Sequence, residues 1–270
     1  MPHTPQHNLF MIADILAPLI SQRFLNEERY RQGHIRIINA LPGRRILGLH
    51  VPEMKAVAKQ IANGSDACDV IRGFEREHER GRFSLCYEET VVWGLAINAM
   101  KCSMGDRMEM VRRFVPAIDN WGVCDTFCCN TKWADRIDSE ALWAFLHPYF
   151  DSDKEFEVRF AVVMSMCHLL REEWLSRLFT RLERLDFARI RSEYIPAKEA
   201  RTKGITEGIA LGASPYYVRM AVAWLFATAL AKYPESTRSF VRSSALPDDV
   251  KRLYVRKARE SFRTRNVEAL

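Results

Sequence analysis

Phe114-Val-Pro-Ala-Ile-Asp-Asn-Trp-Gly-Val-Cys-Asp125 is the stretch on which the reading of this chain turns. Asp119 and Asn120 carry side-chain oxygens that accept from the free N–H groups of a first helical turn, so a helix is expected to open here and run to about Trp133. Trp121 and Asp125 are then one turn apart on one helical face. Such a face has two readings. The ordinary one is a buried indole beside a solvated carboxylate. The other is a flat apolar surface that presses on a ligand while the carboxylate works on it.

Working outward, the same helical period recurs on both sides. Residues 87–102 place Val91, Val92, Leu95, Ala96 and Ala99 inward. Before them, Pro52 suits a first helical turn, Met54, Val57, Ala58 and Ile61 form its apolar face, and Asn63-Gly64 ends it. Helices are also expected over residues 9–24 and 66–77. Downstream, Asp138-Ser139 is expected to cap a helix that Pro148 ends, and Asp151-Ser-Asp153 to cap the next. In that next helix Phe156, Val158, Phe160, Ala161, Val163 and Met164 have little polar relief, which suggests a central, buried position. Residues 186–213 differ: they are polar, contain Pro196, Gly204, Gly208 and Gly212, and read as an insertion or long loop. Ser214-Pro215 then looks like an N-cap with a first-position proline, opening a helix through Val218, Val222, Trp224 and Leu225. The last helix, from Pro247, is basic: Lys251, Arg252, Arg256, Lys257 and Arg259.

No convincing strand pair is visible. The expectation is an all-α chain, residues 1–270 as one domain. Antiparallel helix pairs would stack into a HEAT-like or armadillo-type superhelix with a concave basic groove, although no clean sequence repeat is present. The 48% hydrophobic and 27% charged content supports a sizeable core and excludes general disorder. A formal net charge of +6 and a pI of about 9.0 lean toward a polyanionic partner. No apolar run is long enough to span a bilayer, and no secretory signal is seen, so a cytoplasmic location is expected. The seven cysteines form no Cys-x-x-Cys pair, and Cys124 and Cys128 have no histidine nearby. Reduced thiols are expected rather than a metal site, and with no phosphate- or dinucleotide-binding glycine motif no cofactor is expected.

Several blocks in register carry a resemblance to a known family. Arg45-Ile-Leu-Gly-Leu-His-Val-Pro-Glu-Met-Lys55, Tyr87-Glu-Glu, and above all Arg112-Arg-Phe-Val-Pro-Ala-Ile-Asp-Asn-Trp-Gly-Val-Cys-Asp125 resemble the AlkD-like DNA alkylation repair family. So do Ser152-Asp-Lys-Glu-Phe-Glu-Val-Arg-Phe-Ala-Val-Val-Met164 and Tyr216-Tyr-Val-Arg-Met-Ala-Val-Ala-Trp224. The resemblance covers most of the chain from about residue 45; the first forty residues match poorly. It implies a HEAT-like fold wrapping duplex DNA and excision of N3- or N7-alkylated purines by glycosidic hydrolysis. It further implies that Trp121 and Trp224 are the two catalytic-site tryptophans, Asp125 the essential carboxylate, and Arg159 a DNA-contacting arginine. The partner implied is double-stranded DNA with alkylated purines; no membrane is expected, and a monomer is the default.

Each of these residues has an ordinary alternative. Trp224 in a densely apolar helix would be core, Arg159 an interhelical ion pair, Asp125 a surface acid, and the basic last helix a solvated face. Glu88 and Glu89 match the family block but have no evident chemistry and read as structural. The alternative for the whole chain is a non-catalytic HEAT-like module that binds DNA structures or acts as a protein scaffold.

Overall fold

The computed structural model describes Ile12 and residues 15–270, so residues 9–11, 13 and 14 of the first expected helix lie outside the described residues. The chain divides into two compact units, one ending at Lys132 and the other spanning Trp133–Leu270.

The first unit contains α1 (Gln22–Asn26), α2 (Glu28–Ile38), α3 (Val51–Asn63), α4 (Ala67–Arg80), α5 (Tyr87–Ala99), α6 (Met104–Phe114) and α7 (Trp121–Cys128). Its centre is α5, buried from Tyr87 to Ile97, against which α3, α4, α6 and α7 all pack. An apolar helix with no polar stripe has nowhere stable to sit except among other helices. Trp93, fully buried, stacks on Phe74 at 6.0 Å and meets the edge of Phe114 at 5.1 Å; Phe114 in turn contacts Phe127 of α7 at 4.9 Å. A capping box fixes where α5 begins: the Cys86 sulfur accepts from the Glu89 N–H, and the Glu89 carboxylate accepts from the Cys86 N–H at 2.7 Å.

Glu88 explains the stretch before α3. It is 0% exposed and accepts from the Leu47 and Gly48 N–H groups at 2.9 and 2.8 Å. Gly48 has φ +84°, and a Cβ there would lie 2.2 Å from the Phe24 ring, so only glycine allows this turn. The structural reading of Glu88 and Glu89 therefore holds.

The second unit contains α8 (Ser139–Phe150), α9 (Glu155–His168), α10 (Leu175–Glu183), β1 (Ile195–Pro196), α11 (Ala197–Lys203), β2 (Ile209–Ala210), α12 (Tyr216–Lys232), α13 (Pro234–Ser243) and α14 (Asp248–Glu260). Here α9 is the central helix, packed on α8 and α12, and α12 packs on α13 and α14. Residues 186–213 are not a structureless loop. β1 and β2 form a two-residue parallel pair around α11, too short to leave a periodic signal. The segment is also docked: Tyr194 is buried against Phe156 and Tyr217, with ring centroids 5.8 and 4.6 Å away.

Several expected boundaries differ. α7 stops at Cys128, because the next residues turn back: the Thr131 hydroxyl donates to the Cys128 carbonyl. Asp138 caps α8 as expected, but the helix passes Pro148 and ends at Phe150; near the C-terminus the proline forfeits one hydrogen bond only. Neither Asp151 nor Asp153 caps α9; Ser152 accepts from Lys154, and the helix begins at Glu155. At α12, Pro215 itself stands at the N-cap and no side chain of its own segment caps the helix. Among the described residues, no helix is long and apolar enough to cross a membrane, and no group of three metal-ligating side chains occurs. Of the cysteines, Cys86, Cys124 and Cys128 are buried and Cys68, Cys129 and Cys167 are exposed.

Candidate functional site

In the first unit, α7 opens as the sequence indicates. The Asn120 side chain accepts from the Gly122 N–H at 2.7 Å, a cap of the first turn. Its amide group also donates to the Ile38 carbonyl at 2.9 Å, and the Trp121 indole N–H donates to that same oxygen at 3.0 Å. Ile38 ends α2, whose last carbonyls have no partner within the helix, so the C-terminus of α2 and the N-terminus of α7 satisfy each other. The indole is thereby fixed in orientation while its ring remains half-buried.

Asp125 follows one turn later, also half-buried, and Cys129 after another turn is exposed. The intervening Gly122, Val123, Cys124, Phe127 and Cys128 are buried. Trp121, Asp125 and Cys129 thus form the open stripe of this helix. Behind it lies Tyr87, whose phenol is pushed well above its usual range by burial and then by the negative charges of Glu88, Asp125 and Asp119. Asp119 lies 3.6 Å from the buried Arg44 guanidinium, which also donates to Thr90.

In the second unit, α12 has a similar stripe. Met220, Trp224 and Thr228, four residues apart, are half-buried, whereas Ala221–Ala223 and Leu225–Ala227 are buried. Trp224 is therefore at the surface of the packing and not a core residue. The Thr228 hydroxyl donates to the Trp224 carbonyl at 2.9 Å and contacts the Met166 sulfur at 3.5 Å.

Arg159 is 3% exposed. Its guanidinium donates to the Tyr217 carbonyl at 2.6 Å and lies 5.9 Å from the Tyr217 ring centroid. One turn earlier on α9, Glu155 is equally buried, and its Oε1 accepts from the Tyr217 N–H at 2.6 Å. Burial pushes the Glu155 carboxyl upward; hydrogen bonds from Ser192 and the Tyr217 and Val218 N–H groups, and then the Arg159 charge, oppose the shift. Glu155 is not among the site residues singled out in the sequence. The signal was there: an acid and a base four apart on a helix otherwise too apolar to be solvated must be satisfied by partners inside the protein.

The structure brings Trp121 and Asp125 together on one face of the first unit. It links Arg159 to α12, the helix of Trp224, in the second. Surface hollows of about 820 Å³, bordered by Trp143, His147 and Arg177, and about 680 Å³, bordered by Arg252, Arg256 and Arg259, include none of these residues.

Comparison with curated proteins and with solved structures returns no match. A family model described as DNA alkylation repair enzyme matches residues 19–262 of the 270. That span contains both open stripes and the helices that hold them, and the chain belongs to the DNA alkylation repair enzyme family.

Proposed function

We propose that the protein is a DNA glycosylase that hydrolyses the N-glycosidic bond of cationic N3- or N7-alkylated purines in duplex DNA. The observation that carries this reading is the Trp121–Asp125 stripe: a carboxylate and an indole at the surface of one helix, with the indole locked by Ile38. Family membership supplies DNA alkylation repair as the context.

An alkylated purine already carries a positive charge, so its glycosidic bond is weak and the leaving base needs little acid help. What remains is to stabilise the oxocarbenium character that develops on the sugar and to place water against it. Asp125 performs both tasks, by its charge and as a general base. A carboxylate 4 Å from such a cation contributes about 4 kcal/mol at an effective dielectric constant near 20, roughly a thousandfold in rate. Trp121 and Trp224 each pack on deoxyribose and backbone and exclude water. Their faces also favour a cationic lesion. On this reading the base need not enter a tight pocket, and the helix pairs stack in the HEAT-like manner around the duplex.

Arg159, the DNA-contacting arginine that the resemblance implies, is buried and donates to the Tyr217 carbonyl. We assign it to holding α12, with its positive charge adding to the attraction for phosphate.

The test is release of 7-methylguanine or 3-methyladenine from methylated duplex DNA by wild-type protein and by Asp125→Asn. A loss of at least about a hundredfold in the variant is expected. Equal, slow release by both would leave a DNA-binding module without chemistry.

A further inference from the structure

Glu155 joins three parts of the second unit. It opens α9; its Oε1 accepts from Tyr217 in the first turn of α12; its Oε2 accepts from the Ser192 hydroxyl in the 186–213 segment. The backbone reinforces the last connection, since the Glu155 N–H donates to the Arg191 carbonyl at 3.2 Å and the Arg191 N–H to the Asp153 carbonyl at 2.7 Å.

The carboxylate does what no local residue does. The first N–H groups of a helix have no partner within it, and Pro215 at the N-cap of α12 offers no side-chain acceptor. Elsewhere this chain caps helices with a residue of the same segment, as with Asn120, Ser103 and Asp138. At α12 the acceptor comes from another helix and is buried, which costs desolvation that a solvated cap avoids. Such a cap also fixes position. Glu155 holds the Tyr217 N–H while Arg159, one turn along α9, holds the Tyr217 carbonyl. Gripping both polar groups of one residue prevents α12 from rotating about its axis or sliding along it. Trp224 lies two turns beyond Tyr217, on nearly the same side of the helix. A slip of one residue would turn its indole by about 100° and off the open stripe.

We propose that Glu155 is a positioning residue: it sets the rotation of α12, and so the presentation of the Trp224 indole, and through Ser192 it ties that presentation to the 186–213 segment. The proposal rests on the reading that Trp224 belongs to the site.

The experiment compares Glu155→Ala, Glu155→Gln and Ser192→Ala in the full chain. Single-turnover release of 7-methylguanine is measured together with the Kd for the same DNA. The Trp224 signal is isolated as the fluorescence difference between each protein and its Trp224→Phe derivative, with acrylamide as quencher. Glu155→Ala is expected to slow release about a hundredfold, as a small misplacement near the chemistry does, and to alter Trp224 quenching. Its Kd should change by less than about threefold, because the loss falls on the chemical step. The Glu155→Gln amide still accepts from Tyr217 and can donate to Ser192, so release should fall only a few-fold. Ser192→Ala leaves the cap in place and should shift quenching and rate in the same direction as Glu155→Ala but less. If Glu155→Ala does not fold, Ser192→Ala and Glu155→Gln decide alone. Unchanged Trp224 quenching in every folded variant, or Glu155→Gln as impaired as Glu155→Ala, would overturn the proposal. Undiminished release by Trp224→Phe in the otherwise wild-type chain would instead sink the role given to Trp224, while the quenching data still report whether Glu155 orients it.

Discussion

The Tyr87 hydroxyl lies over Gly122 so closely that a Cβ on that residue would sit 2.4 Å from it. Tyr87 opens α5 and Gly122 directly follows Trp121, so this contact sets how near α7 approaches the central helix. Gly122→Ala should cost about 1–3 kcal/mol by overpacking. Tyr87→Phe removes the oxygen but leaves the ring carbon that bore it 3.3 Å from the new methyl, which a small shift relieves. The double variant should therefore be less unstable than the two costs added together. A double-mutant cycle by denaturant unfolding checks this; strict additivity would rule out the contact.

Asn120 and Trp121 share the Ile38 carbonyl, but only Asn120 also caps α7. Asn120→Ala loses the cap, about 1 kcal/mol, and a buried hydrogen bond of similar worth. Trp121→Phe loses one hydrogen bond and part of a ring, and Asn120 still satisfies Ile38. Stability should fall further in Asn120→Ala, whereas excision should fall further in Trp121→Phe. The opposite order in either assay would mean that the indole serves packing alone.

Two histidines give stability a sign with pH. Burial lowers the His34 value, helped by the nearby His50, and burial lowers that of His78, helped by Arg44. A histidine depressed in the folded state binds its proton more readily when unfolded. Its stabilising contribution is complete above the unfolded value, about 6.5, and is lost as pH falls through the folded value. Glu88 and Glu155, raised by burial, act in the opposite sense: their contribution is present below the unfolded carboxyl value and lost as pH rises through the folded one. The histidine part is separable. Between about pH 7.5 and 5.5, the unfolding free energy of wild type should fall more than that of a His34→Gln/His78→Gln variant. Parallel curves would show that neither imidazole is coupled to folding.

Most helices were legible because their signals are local. Tyr87–Ala99 and Glu155–His168 are largely apolar with no polar stripe, and each is the centre of its unit. That Trp121 and Asp125 share one face of α7 followed from their four-residue spacing; that the face is open did not. What was not legible depends on partners distant in the chain. Ser214 looked like a cap, yet the acceptor for α12 is Glu155, 62 residues from Tyr217. Glu88 looked idle, yet it holds Leu47, 41 residues away. Asp153 looked like a cap, but its carboxylate is taken by Arg191. Capping residues compete for several partners, and only packing decides which one is reached.

The basic last helix shows the same limit, and its geometry gives a prediction about charge. From the sequence it reads first as a solvated face, with a phosphate-contacting role gaining weight only if DNA is the partner. In the structure α14 buries Val250, Tyr254 and Ala258, and Tyr254 meets the edge of Phe226 on α12 at 6.3 Å. Arg252, Arg256 and Arg259 occupy the opposite side of α14 and are exposed. Phe226 is two residues from Trp224, about 200° around α12, so α14 sits behind the indole and its arginines point further away still. DNA that reaches Trp224 has no need to touch them. Each phosphate contact contributes close to one unit to the slope of log Kobs against log salt. Replacing all three arginines by glutamine should therefore change that slope by less than about one unit and leave lesion excision intact. A fall of about three units would place phosphates on the outer face of α14 and require DNA to engage both sides of the α12–α14 layer.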